Sequence, residues 1–132
     1  MGEVKQEDSF GCGVSCTAAV LNVSYQKAMF LYQNGRKKAA EIGFYCREIV
    51  KALAKGGLDY EYKHIGKKQR KKLYTPGSIV YIRKSNKYPV GHYLYRWKNT
   101  WMDPWINFPN KNVEAGFRKR LPEKPIYVIY PL

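Results

Sequence analysis

The stretch Gln6-Glu7-Asp8-Ser9-Phe10-Gly11-Cys12-Gly13-Val14-Ser15-Cys16 holds the residue types that nucleophilic chemistry needs: a polar loop ends at a glycine-flanked cysteine, and an apolar helix begins there. Val14, Ala18 and Leu21 fall at i, i+4 and i+7, the spacing of one helical face, and the small Ser15, Ala18 and Ala19 permit close packing. A thiol at the start of such a helix meets unpaired backbone N–H groups and the positive end of the helix dipole, which favour the thiolate. Gly11 and Gly13 leave the sulfur open to a substrate and let the backbone turn sharply. A cysteine that is only a small core residue needs neither glycine. Cys16, one turn on, is expected to be structural, because two cysteines at i and i+4 of one helix have poor disulfide geometry.

A nucleophilic thiol needs a base, and the chain offers two histidines. His64 lies in a lysine-rich segment whose neighbours suggest a solvated loop. His92 follows Gly91 at the start of a strand, where a ring can project from the end of a sheet. If Lys98-Asn99 is a two-residue turn, Leu94 lies opposite Asp103 and His92 is diagonal to Asp103 on the same face. Asp103 can then fix the tautomer of His92 and aim the ring at Cys12, giving a nucleophile, a base and an orienting carboxylate. The plainer alternative is a hairpin with an exposed histidine and an aspartate capping a turn before Pro104.

The elements that must position these residues follow from the periodicities. After the Cys12 helix, Ser24 is an N-cap for a second helix over Tyr25–Gln33, which Asn34-Gly35 ends. Arg36 to Ile42 reads as a basic connector. Cys46, Ile49, Val50 and Leu53 form the apolar face of a third helix, closed by Gly56-Gly57. Strands then take over at Tyr60–Ile65, Ile79–Arg83, His92–Trp97, Thr100–Asp103 and Ile126–Tyr130, with Trp105 to Lys124 irregular. Helices first and an antiparallel sheet second predict one α+β domain over residues 1–132. No segment has the length or apolarity of a membrane span. Three cysteines without regular spacing suggest neither a disulfide framework nor a metal site, and no cofactor is expected. A reducing compartment, the cytoplasm, is the expected site of action, with delivery there as part of a larger secreted protein left open.

Charge is the extreme compositional feature: 24 Lys and Arg against 10 Asp and Glu give +14. Such a balance points to an anionic partner. It concentrates in Lys67, Lys68, Arg70, Lys71 and Lys72 and recurs in Arg118-Lys119-Arg120. The first five are candidate phosphate ligands, against the alternative of a solvated face that keeps the domain soluble.

Taken together, Gln6, Cys12-Gly13 with Cys16, Gly91-His92-Tyr93 and Asp103-Pro104 resemble the peptidase domains of bacteriocin-exporting ABC transporters, which remove double-glycine leader peptides and are papain-like cysteine peptidases. The match runs from Gln6 to about Tyr130, although the family commonly has Asp before the cysteine, where this chain has Gly11. The resemblance implies a papain-like fold, N-terminal helices packed on a C-terminal antiparallel sheet. It further implies Cys12 as nucleophile, His92 as general base and acid, Asp103 as orienter, Gln6 as oxyanion donor, and a peptide substrate with small residues at the cleavage site. The basic character supports a different class, a bacterial toxin domain on the same fold that cleaves RNA, such as tRNA, without metal and is paired with an immunity or inhibitor protein. A third class is a non-catalytic peptide-binding module.

Overall fold

The computed structural model describes residues 2–132. Helix α1 spans Cys12–Leu21 and is buried over most of its length. It closes at Asn22, which takes the left-handed conformation at φ 56° that Asn tolerates at helix ends. Ser24 caps α2 by accepting from Lys27 N–H at 3.1 Å, as its position predicts. That helix covers only Tyr25–Met29, however, and not the run to Gln33. Its backbone tightens into i→i−3 bonds at Leu31 and Tyr32, and Asn34, at φ 55°, turns the chain.

Arg36 to Ile42 is not a connector. Helix α3 occupies Gly35–Glu41, with only Gly35 and Ala39 buried. Its sequence lacks an apolar stripe, and the signal it does carry is the intrinsic helix propensity of Arg, Lys, Ala and Glu. Helix α4, Cys46–Lys55, has the expected face inward: Ile49 and Leu53 are fully buried. Glu48 accepts from Tyr45 N–H at 2.9 Å at its N-terminus and takes an ion pair from Lys38 of α3.

The second half builds a six-stranded sheet from β1 (Tyr60–His64), β2 (Ile79–Ile82), β3 (His92–Trp97), β4 (Thr100–Asp103), β5 (Gly116–Arg118) and β6 (Pro125–Pro131). The order is β1-β6-β2-β3-β4-β5, antiparallel throughout. Strand β5 lies inside the segment expected to be irregular; three residues are too few to show an alternation. The expected solvated loop at 67–72 is a 3-10 turn, Lys67–Gln69, followed by a short helix α5, Arg70–Leu73, pinned by the buried Leu73.

The helices cover one face of the sheet. On that face Ile129, Ile79, Tyr95 and Met102 form a row that packs with Val14, Ala18, Ile49 and Leu53. The opposite face carries a smaller core of Val80, Ile82, Leu94 and Trp101 closed by Leu73 and Tyr88. Two layers around one sheet make the fold α+β. Among the described residues no helix is long and apolar enough to cross a membrane.

Candidate active site

The Lys98-Asn99 turn forms with Lys98 at φ 55°, and the register Tyr95↔Met102, Arg96↔Trp101, Trp97↔Thr100 is the one that places Leu94 opposite Asp103. His92 and Asp103 consequently share a face at the end of the sheet, and His92 Nε2 bonds Asp103 Oδ1 at 2.6 Å. His92 is 4% exposed and Asp103 fully buried. Gly91 is required next to them: its φ is +78°, and a Cβ there would stand 2.1 Å from the Tyr81 hydroxyl.

With Nε2 engaged by the carboxylate, Nδ1 is the ring nitrogen left for the thiol. Burial on its own would lower the pKa of His92. The neighbouring Cys12 sulfur, as thiolate, and the Asp103 carboxylate outweigh that cost and bring it up to about 9. Burial would likewise raise Asp103, but hydrogen bonds from His92, the Arg118 guanidinium and the Trp105 backbone N–H hold it below the usual carboxylate range.

Cys12 is the partly exposed cysteine of the three. It opens α1, and Gly11 before it has no side chain to cap the helix, so the first N–H groups of α1 are free to meet an anion. The value of glycine at position 11 lies in a close approach: an added Cβ would come 2.0 Å from the Tyr25 hydroxyl. That hydroxyl donates to Asp8 Oδ2 at 2.7 Å and so braces the loop that leads to Cys12. Cys16 and Cys46 are buried, and burial pushes both thiols up, Cys16 furthest. They belong to the core.

Gln6 is 2% exposed and is tied to the site through its backbone N–H, which donates to Pro104 O at 3.2 Å. Its side-chain Nε2 donates to Asp8 O at 2.9 Å and Ser9 O at 3.1 Å, while Oε1 is buried without a partner. The amide thus holds the Asp8–Ser9 loop, and a contact with an oxyanion requires one of those two N–H bonds to be exchanged.

Two residues without a chemical signature in the sequence complete the site. Arg118 belongs by sequence to a surface basic run, yet its Nε donates to Asp103 Oδ2 at 2.8 Å and its Nη2 to Ile106 O at 3.2 Å and the Tyr88 hydroxyl at 3.4 Å. Strand β5 explains it, since Gly116 pairs with Asp103 and Arg118, two residues on, lies on the same face. Tyr88 is buried and stacks on the His92 ring, with centroids 4.9 Å apart and planes at 11°. No residue spacing points to Tyr88, because it sits in the 84–91 loop.

Gln6, Cys12 and His92 line a cleft of about 560 Å³. Lys67, Lys68, Arg70, Lys71 and Lys72 do not: they ride on the 3-10 turn and α5 on the other side of the fold, Lys72 over the Tyr130 ring at 4.2 Å. His64 is not brought to the site either; it stacks edge-on against Tyr127 in the exposed strand β1. Among the described residues no group of three or more His, Cys, Asp and Glu is placed to hold a metal.

No family model matches the chain, and no curated protein matches it by sequence. Its structure is similar to that of the peptidase domain of Streptococcus ComA, described as a bi-functional ABC transporter involved in a quorum sensing pathway. The TM-score is 0.57 over 98% of both chains at 22% identity. The fold is therefore the papain-like one that the resemblance to double-glycine leader peptidases implies.

Proposed function

We propose that this chain is a cysteine peptidase in which Cys12 is the nucleophile, His92 the general base and acid, and Asp103 the orienting carboxylate. The buried His92–Asp103 pair at 2.6 Å, set in the cleft that the Cys12 thiol opens into, carries this reading. A structural histidine has no need to share a cleft with a helix-terminal thiol.

The geometry supports the following sequence. The Cys12 sulfur, whose proton His92 Nδ1 already holds, attacks a peptide carbonyl carbon, and the carbonyl π pair moves to oxygen. The backbone N–H of Cys12 and an N–H of Gln6, once released from the loop, meet that oxyanion. Collapse breaks the C–N bond, with the His92 proton passing to the leaving amine and a thioester left on Cys12. Water, deprotonated by His92, then attacks the thioester, and the returning thiol receives the proton. Asp103 keeps the proton on Nε2 throughout and stabilises the imidazolium.

The resemblance makes a peptide with Gly-Gly before the scissile bond the first substrate to test. Cleavage that stops on iodoacetamide labelling of Cys12, and in Cys12→Ala, supports the proposal. Inert peptides alongside tRNA cleaved in a His92-dependent manner would replace it with the ribonuclease reading. Peptide bound but never cut would leave a binding module.

A further inference from the structure

The cleft has a floor whose composition follows from the sheet register. Tyr81 lies opposite Tyr93 on one side and opposite Tyr127 on the other, and His64 lies opposite Tyr127. The three tyrosines form one row across β3, β2 and β6 that lines the cleft, with successive centroids 5.0 and 6.5 Å apart, and His64, 5.3 Å from Tyr127 on β1, lies outside the cleft. Tyr93 is buried beside His92 under the helices, whereas the row emerges toward the edge strand, where Tyr62 is 40% exposed. Two cations also line the cleft. Arg47, in the first turn of α4, lies over the Tyr45 ring at 4.8 Å, and Lys84 follows the end of β2.

What sets these two apart from the chain's other unpaired cations is that they line this cleft. Lys38 is paired with Glu48, and Arg83 with Glu123 at 2.8 Å. Arg47 and Lys84 form no ion pair among the described residues, and no Asp or Glu is among the described residues that line the cleft. A concave, aromatic surface with two uncompensated cations and no carboxylate concentrates positive potential where a ligand must lie. The chain's net charge of +14 adds a long-range field of the same sign.

Resting on the reading of this cleft as a peptide site, we propose that Arg47 and Lys84 select substrate: the segment of peptide that crosses the tyrosine floor on its way to Cys12 carries acidic side chains. The carboxylates pair with the two cations while the apolar part of the segment packs on Tyr62, Tyr81 and Tyr127. A peptide is favoured over a polynucleotide because the floor leads to a thiol suited to carbonyl attack, and because the five-cation run at Lys67–Lys72 lies outside the cleft.

The test uses the Cys12→Ala chain and two fluorescein-labelled peptide pools, identical except that every Glu of one is Gln in the other, read by fluorescence anisotropy. The Glu pool is expected to bind about fivefold tighter at low salt, as two exposed ion pairs allow, and to lose most of that preference at high salt. Arg47→Gln with Lys84→Gln should erase the preference, and Arg47→Glu with Lys84→Glu should invert it. Both positions are exposed, so folding is checked by a melting curve unchanged from the parent. Equal binding of the two pools, no binding of either, or a preference that survives both double variants overturns the proposal. So does a single-stranded RNA that displaces the peptide and depends on Arg47 and Lys84, which would assign the cleft to RNA. Turnover by the unmodified chain is scored separately. Cleavage of both pools at one rate sinks the charge selection and leaves the peptidase reading, whereas a Glu preference in binding without any cleavage sinks the peptidase reading and leaves the selection.

Discussion

Lys67–Lys72 and Arg118–Arg120 are both short cationic runs beside apolar residues, but the fold treats them differently. In the first, Lys67, Lys68, Arg70 and Lys71 stay exposed, and only Leu73 is drawn inward. In the second, Arg118 turns under the sheet and grips Asp103 while Lys119 and Arg120 remain outside. The difference lies in what each run is attached to. A helical turn anchored by one leucine can keep its cations in water, where each exposed charge contributes little. Arg118 sits in a strand whose alternation faces it toward a buried carboxylate that already accepts from His92. There a lone imidazole partner leaves one carboxylate oxygen to be satisfied, and a guanidinium does so with charge and direction. Similar composition therefore yields a solvated face in one region and part of the site in the other.

The sharpest way to break this comparison is at the reacting groups. Cys12→Ala or His92→Ala should lower kcat/KM by about 10⁴ or more, while His64→Ala, beside the basic run, leaves it unchanged. Loss of activity in the His64 variant, or near wild-type turnover without His92, would move the chemistry to the other region.

Arg118→Gln comes next, with an expected loss of roughly ten- to a hundredfold in kcat/KM, since it releases Asp103 from one side. Removing a cation from beside the Asp103–His92 pair also makes the imidazolium easier to hold. The alkaline limb of the pH–rate profile, expected near 9 in the parent because His92 is raised to about 9, should move upward. Arg118→Lys should restore the limb more than the rate. A slower enzyme with an unmoved limb would reduce Arg118 to a packing role.

The pair should also mark the stability curve. His92 is raised above its unfolded value, so its contribution is complete below about pH 6.5 and is lost as pH rises through about 9. Asp103 is lowered, so its contribution is present above about pH 4 and is lost as pH falls below the usual carboxylate range. Urea unfolding of the parent against Asp103→Asn should therefore differ most between those limits, by about 2 kcal/mol, and converge outside them. A constant difference from about pH 3 to about pH 10 would contradict the assignment of charge to both partners.

The smallest effect belongs to the other run. Changing Lys67, Lys68, Arg70, Lys71 and Lys72 to Gln should alter stability by less than about 0.5 kcal/mol and leave peptide turnover intact. Any binding to RNA should weaken, and its dependence on log salt should flatten by about 0.7 to 0.9 for each phosphate that is no longer neutralised. A fall in peptide turnover would join the two regions that the fold keeps apart.

Much of the candidate site is legible locally. Period 3.6 after Cys12, a two-residue turn at Lys98-Asn99 and period 2 on either side of it are short-range patterns. They are enough to bring His92 to Asp103 in the correct register and to mark β3 and β4 as His92–Trp97 and Thr100–Asp103. Other elements carry no such pattern. Helix α3 buries too little to show a stripe, and β5 is too short to alternate. The use of Gln6 also depends on distant parts, because its amide is taken by loop carbonyls whose placement is set by Pro104 and the Tyr25–Asp8 bond.

By itself, then, the sequence determined the setting of Cys12, the hairpin register and the helix-then-sheet order, because each depends on neighbours a few residues apart. Only the tertiary structure decided that Arg118 and Tyr88 belong to the site, that the Lys67–Lys72 run does not, and that Arg47 and Lys84 line one cleft together with a row of tyrosines. Those facts are set by which strands pair across dozens of residues and by which charges find partners when they do, and neither is encoded in any local period.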